Sequence, residues 1–207
     1  MARGMLLALP LCLLMWSSRA VAGSLPPVVR EGSFAAGGVV ILDVNVGDVR
    51  IEPATHTDTV RLVIASQDTA DAAAAAGWIR EFSLNGAQAK IELHTPKQGQ
   101  QQFGITLYVP ARSDLRVDLG VGNLNIAGVT GNADANVGVG NLQMALPEVH
   151  AYREVSLSVR IGNVDTGPLG LDAHGLLSKS VQQQLPGGRY RLKLHTGIGN
   201  VECTVGN

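Results

Sequence analysis

The stretch Val117-Asp-Leu-Gly-Val-Gly-Asn-Leu-Asn-Ile126 decides how this chain folds. Val117, Leu119 and Val121 alternate with other residues before its centre, and Leu124 and Ile126 do so after it. Period-two alternation marks a strand with one buried face. Glycine reaches backbone conformations closed to other residues, and asparagine is among the next most tolerant. Glycine inside a strand marks a bulge or corner. The stretch therefore predicts two short strands joined by a bend at Gly120, Gly122 and Asn123.

The phrase recurs. It returns as Ala135-Asn-Val-Gly-Val-Gly-Asn-Leu-Gln-Met144, with Gly138, Gly140 and Asn141 at the bend. Leu157-Ser-Val-Arg-Ile-Gly-Asn-Val-Asp-Thr166 carries Gly162 and Asn163, and Leu194-His-Thr-Gly-Ile-Gly-Asn-Val-Glu-Cys203 carries Gly197, Gly199 and Asn200. An early version, Asp43-Val-Asn-Val-Gly-Asp-Val-Arg-Ile51, has Gly47 and Asp48. One such unit buries too few aliphatic side chains to offset the entropy of ordering it, so the repeats must stack and share a core. Stacked in register, the asparagines fall one above another and can bond corner backbone groups. Asn123, Asn141 and Asn163 are spaced by 18 and 22 residues, but Asn200 follows 37 later. A degenerate turn is expected between Asp165 and Leu192. The fold class that follows is all-β, a β-solenoid or β-helix-like stack of short strands with one short accessory helix.

That helix is expected over 69–82, where Ala75, Trp78, Ile79 and Phe82 fall at i, i+3, i+4 and i+7. Val60–Ala65, Ala89–His94 and Gly104–Val109 read as strands around it. The single domain is set at 39–207, with an irregular part over 39–110 and repeated coils over 111–207.

Residues 1–22 read as a signal peptide, and 23–38 as a linker. Arg3 precedes the apolar run Met5–Trp16, and Ala20-Val-Ala22 supplies small residues for cleavage. The run is too short to span a bilayer, so no transmembrane segment is expected in the mature chain. Cleavage removes Cys12 and leaves Cys203 as the lone cysteine, expected as a small buried residue on a strand rather than part of a disulfide framework.

The 207 residues are 45% hydrophobic and 16% charged, with 25 glycines and a formal charge of −1. The balance and the lack of a basic run argue against nucleic-acid binding. Every Gly-x-Gly is followed by strand alternation rather than a helix start, so a phosphate loop is not indicated. Asparagine at four of five bends lacks the charge that calcium β-rolls use. His56, His94, His150, His174 and His195 form no ligand pair, and no nucleophile-elbow motif occurs. Arg112, Asp114, Arg116 and Asp118 alternate outward as a solvated face. No catalytic, cofactor or metal residues are assigned.

The run from Ile105 through Val109-Pro110 to Gly131-Asn132, with its Gly-Val-Gly-Asn turn, resembles the bacterial putative adhesin domain family. The resemblance extends over roughly Val39 to Val205. It implies an exported β-solenoid-like domain of the periplasm, cell surface or extracellular space of a bacterium, with no associated catalytic set. The function expected is a non-enzymatic envelope protein, adhesin-like or a scaffold for protein or glycan contact. The rival is a small carbohydrate-active or lipid-handling periplasmic protein using a groove along the stack.

Overall fold

A computed structural model describes residues 26–66, 69–96, 103–175 and 178–206. The expected signal peptide (1–22) and residues 97–102 lie outside the described residues. Among the described residues the chain is all-β, with thirteen strands in one nearly closed, barrel-like sheet and one short α-helix.

The strands are β1 (Val28–Ser33), β2 (Val39–Val46), β3 (Asp48–Pro53), β4 (Thr59–Ser66), β5 (Ile79–Asn85), β6 (Gln88–Leu93) and β7 (Phe103–Val109). They continue as β8 (Asp114–Val121), β9 (Leu124–Ala127), β10 (Ala133–Leu146), β11 (Tyr152–Asp165), β12 (Lys179–Gln184) and β13 (Tyr190–Val205). The helix α1 covers Thr69–Trp78. Each Gly-x-Gly phrase is a bend between two strand segments or within one long strand.

Pairing across these bends is parallel and in register. One flank runs β6–β2–β8–β10–β13–β11, and the other runs β7–β3–β9–β10–β13–β11. From Leu115 the chain follows β8, the bend and β9, then returns so that Ala133 lies beside Leu115. Inward residues of both flanks, among them Leu42, Leu119, Leu124, Ile126, Val137, Met144, Leu157 and Leu194, are fully buried in one core. Antiparallel strands close both ends of the parallel stack. β5 and β4 lie on β6 and β7, β1 lies on β4, and β12 lies on the first half of β11.

The last repeat in sequence is not the last rung in space, because β13 enters between β10 and β11. Four expectations are corrected. The segment between Asp165 and Leu192 is no further coil; it holds a 3-10 turn at Gly167–Leu169 and the antiparallel β12. The helix stops at Trp78, and Ile79 and Phe82 belong to β5. A register shift between Ile79 and Glu81 adds a residue to the period, so a bulged strand mimics helical spacing. Part of the expected linker is β1, and the region taken as irregular supplies regular rungs from β2, β3, β6 and β7.

α1 sits at the bend of the antiparallel end layer and touches β1, β4 and β5. Its last turn buries Ala75 and Trp78, whose ring lies 4.8 Å from that of Phe103. Among the described residues no helix is long and apolar enough to cross a membrane.

Candidate functional site

The bend residues form three parallel lanes along the stack. The first is glycine. Gly47, Gly122, Gly140, Gly199 and Gly162 have φ between 139° and 150°, a region that L side chains rarely adopt. A Cβ on Gly140 would lie 1.7 Å from the carbonyl oxygen of Gly122 in the next rung. The rungs can meet at this corner only without side chains. Gly120, Gly138 and Gly197 meet the next rung's carbonyl at 2.4–2.5 Å in the same way.

The second lane is an amide ladder with one direction. Asn123 Nδ2 donates to Asp48 Oδ1 (2.8 Å), Asn141 Nδ2 to Asn123 Oδ1 (3.0 Å) and Asn200 Nδ2 to Asn141 Oδ1 (2.9 Å). Backbone amides of Asn123, Asn141 and Asn163 also donate to the preceding side chain at 3.1–3.3 Å. An inner position must both donate and accept, which asparagine does and aspartate does not. Asp48 is the exception because Gly104 stands in the next rung, leaving nothing for it to donate to. At the far end the Lys179 ammonium donates to Asn163 Oδ1 (2.6 Å). Side-chain amides thus link Asp48 to Asn200, and the Asn163 backbone N–H carries the row to the last rung. A carboxylate at one end and a cation at the other match the direction of the amide dipoles.

The third lane is apolar and exposed. Val121, Val139, Ile198 and Ile161 stand side by side, each 43–52% exposed. Cross-strand packing of β-branched side chains supports the stack. The alternation that groups Val121 with Val117 and Leu119 on a buried face is corrected here: Val117 and Leu119 point inward, whereas the bend turns Val121 and its counterparts outward.

Two concavities lie on the outer faces, one beside the bends and one at the starts of the strands that lead to them. One, about 400 Å³, lies between the amide ladder and the parallel row Asn125, Gln143 and Glu202. Asn125 Nδ2 donates to Gln143 Oε1 (2.9 Å). The other, about 560 Å³, gathers Asp114, Arg116, Asp134, Glu154, Arg191 and Lys193. Asp114 accepts from the backbone and side-chain amides of Asn132 (2.8 and 2.9 Å), and Lys193 pairs with Asp134 at 3.5 Å. Asp114 and Arg116, expected on a plain solvated face, therefore line a hollow. Their strand neighbour Asp118 instead accepts from Asn136 (3.2 Å).

The register also joins residues remote in sequence. Ser158 and His195 face each other across β11 and β13, with Oγ 2.9 Å from Nδ1. The row continues to Asn136, which bonds Asp118, so among the described residues no carboxylate bonds the imidazole. Asp43 stands between Glu92 and Asp118 on adjacent parallel strands. Partial burial, and then the Asp118 and Glu92 charges, raise its pKa above the ordinary carboxyl value. No group of three or more potential metal ligands occurs among the described residues. Cys203 is buried and unpaired, and burial, with Asp165 and Glu202 adding to it, pushes its thiol up to about 12. Such a thiol stays protonated and inert.

No family model matches the chain, and no curated protein matches it by sequence. Three solved structures are similar in part. A putative cell adhesion protein from Clostridium sporogenes has 15% identity and a TM-score of 0.48, covering 86% of this chain and 99% of its own. A putative adhesin from Bacteroides fragilis has 10% identity and a TM-score of 0.39, covering 86% and 97%. A putative lipid binding protein from Parabacteroides distasonis has 10% identity and a TM-score of 0.29, covering 68% and 70%.

Proposed function

We propose that this chain is an exported, non-enzymatic envelope protein whose rungs form a short β-solenoid, adhesin-like in kind, presenting rigid outer faces to a surface protein or glycan. One observation carries the reading: the recurring phrase is spent on corners and on a side-chain ladder. Its periodic residues set rungs at ~4.8 Å and place equivalent side chains in rows on the outer faces. Parallel in-register pairing supports the solenoid description, and the order Arg3, apolar run, Ala20-Val-Ala22 supports export.

The charged concavity is what favours the rival, carbohydrate-active reading. Of its three acids, Asp114 and Asp134 already hold hydrogen-bonded or ionic partners, which suits a contact surface better than acid–base work. Its polar lining does not suit a lipid tail. The test is fractionation of a bacterium expressing the full chain, followed by capture of envelope proteins and glycans on the purified mature form. Export and specific capture are expected. Retention in the cytoplasm, or a monomer that captures nothing, would overturn the reading.

A further inference from the structure

We propose that the concavity beside the amide ladder is a binding groove for a linear, uncharged polysaccharide lying along the stack axis; this rests on reading the outer faces as contact surfaces. The case starts from unspent hydrogen-bonding capacity. An amide nitrogen carries two hydrogens, and Asn123, Asn141 and Asn200 each commit one to the next rung. The second is left over at every rung along one wall of the groove. On the opposite wall Gln143 accepts from Asn125 through Oε1, so its own Nε2 and the Asn125 Oδ1 have no partner among the described residues. Glu202, the next residue in that row, makes no ion pair among the described residues.

The walls thus offer free donors and free acceptors interleaved within about 400 Å³. A hydroxyl, which both donates and accepts, complements such a mixture; a purely anionic or cationic group does not. Glu202 is the one charged residue lining the groove, which disfavours polyanions. Spacing selects further. The amides repeat at the rung distance of ~4.8 Å, whereas same-side groups of an extended peptide repeat every two residues, ~6.6–6.8 Å. A linear β-1,4-linked hexose chain turns over at each ring, so its same-side groups recur every second ring, at about two rung distances, and meet the amides of alternate rungs. The groove runs across the strands and spans the three rungs of Asn123, Asn141 and Asn200.

Isothermal titration of the purified exported protein with cellohexaose and chitohexaose tests this, with hexagalacturonate as the anionic comparison. Binding of a neutral hexasaccharide is expected, weakened about fivefold by Gln143→Ala, one hydrogen bond's worth. Asn125→Ala should weaken it similarly. Gln143→Glu, which keeps the side-chain size but places a carboxylate beside Glu202, should weaken it more. Gln182→Ala, in the charged concavity on the other face, should leave it unchanged. Thermal melts of each variant separate lost binding from lost folding. Absence of neutral-glycan binding, preference for hexagalacturonate, or indifference to all three groove variants would overturn the groove. A protein that fails here but captures an envelope protein refutes the groove and leaves the contact-surface reading standing; failure in both assays refutes both.

Discussion

Exchanging asparagine for aspartate should have opposite consequences at the middle and at the end of the amide ladder. Asn141 donates to Asn123 Oδ1 at 3.0 Å and accepts from Asn200 at 2.9 Å. In Asn141→Asp the acceptor role survives, but the donor is replaced by a carboxylate oxygen facing another oxygen at that distance. One hydrogen bond is lost and an acceptor pair is left opposed, together about 1–2 kcal/mol at this solvent-exposed site. For a chain of this size that lowers Tm by roughly 3–6 °C. Asp48→Asn removes a charge-assisted acceptor yet leaves the bonds from Asn123 possible, so it should cost no more than about 0.5 kcal/mol. A protonated carboxyl can donate, so the Asn141→Asp penalty should shrink as pH falls towards ~4. Thermal and urea unfolding of both variants between pH 4 and pH 7 measure all three effects. Equal penalties at positions 48 and 141, or a penalty at 141 that grows on acidification, would refute the directional ladder.

Other expectations are briefer. Gly140→Ala puts a Cβ 1.7 Å from the Gly122 carbonyl oxygen at a φ of 140°, and should cost about 3 kcal/mol or more in urea unfolding. The raised pKa of Asp43 means that the folded state binds its proton more tightly than the unfolded state does. Its ionisation therefore costs stability above the folded-state pKa, and that cost is relieved as pH falls through it. Asp43→Asn should raise Tm at pH 7, with the advantage vanishing at acid pH. Cys203, buried with its thiol pushed up to about 12, should resist a thiol reagent at pH 8 in the native protein and react promptly in denaturant.

Much of the architecture is legible because it rests on local rules. Val117, Leu119 and Val121 announce a strand by alternation alone, and the invariant glycines mark where backbones must approach closely. What the sequence hides is partnership. Nothing local distinguishes a final rung added at the end from one inserted between two others, because β13 carries the same phrase as its neighbours. The bulge at Ile79–Glu81 converts strand spacing into an apparent helical stripe, since one extra residue shifts the period from two to three. The two concavities, the Ser158–His195 pair and the outward aliphatic lane depend on register between segments 18–59 residues apart. The lone aspartate among asparagines acquires its meaning only once Gly104 is seen in the rung beside it.

The central claim is that the phrases stack in the spatial order 48, 123, 141, 200, 163, with the C-terminal strand inserted. Paired cysteines on the exposed aliphatic lane test it most directly. Adjacent rungs lie ~4.8 Å apart, within disulfide reach, and alternate rungs lie ~9.6 Å apart, beyond it. Oxidation should cross-link Val139→Cys with Ile198→Cys, and Ile198→Cys with Ile161→Cys, but not Val139→Cys with Ile161→Cys. A ready cross-link between positions 139 and 161, with none between 139 and 198, would contradict the account.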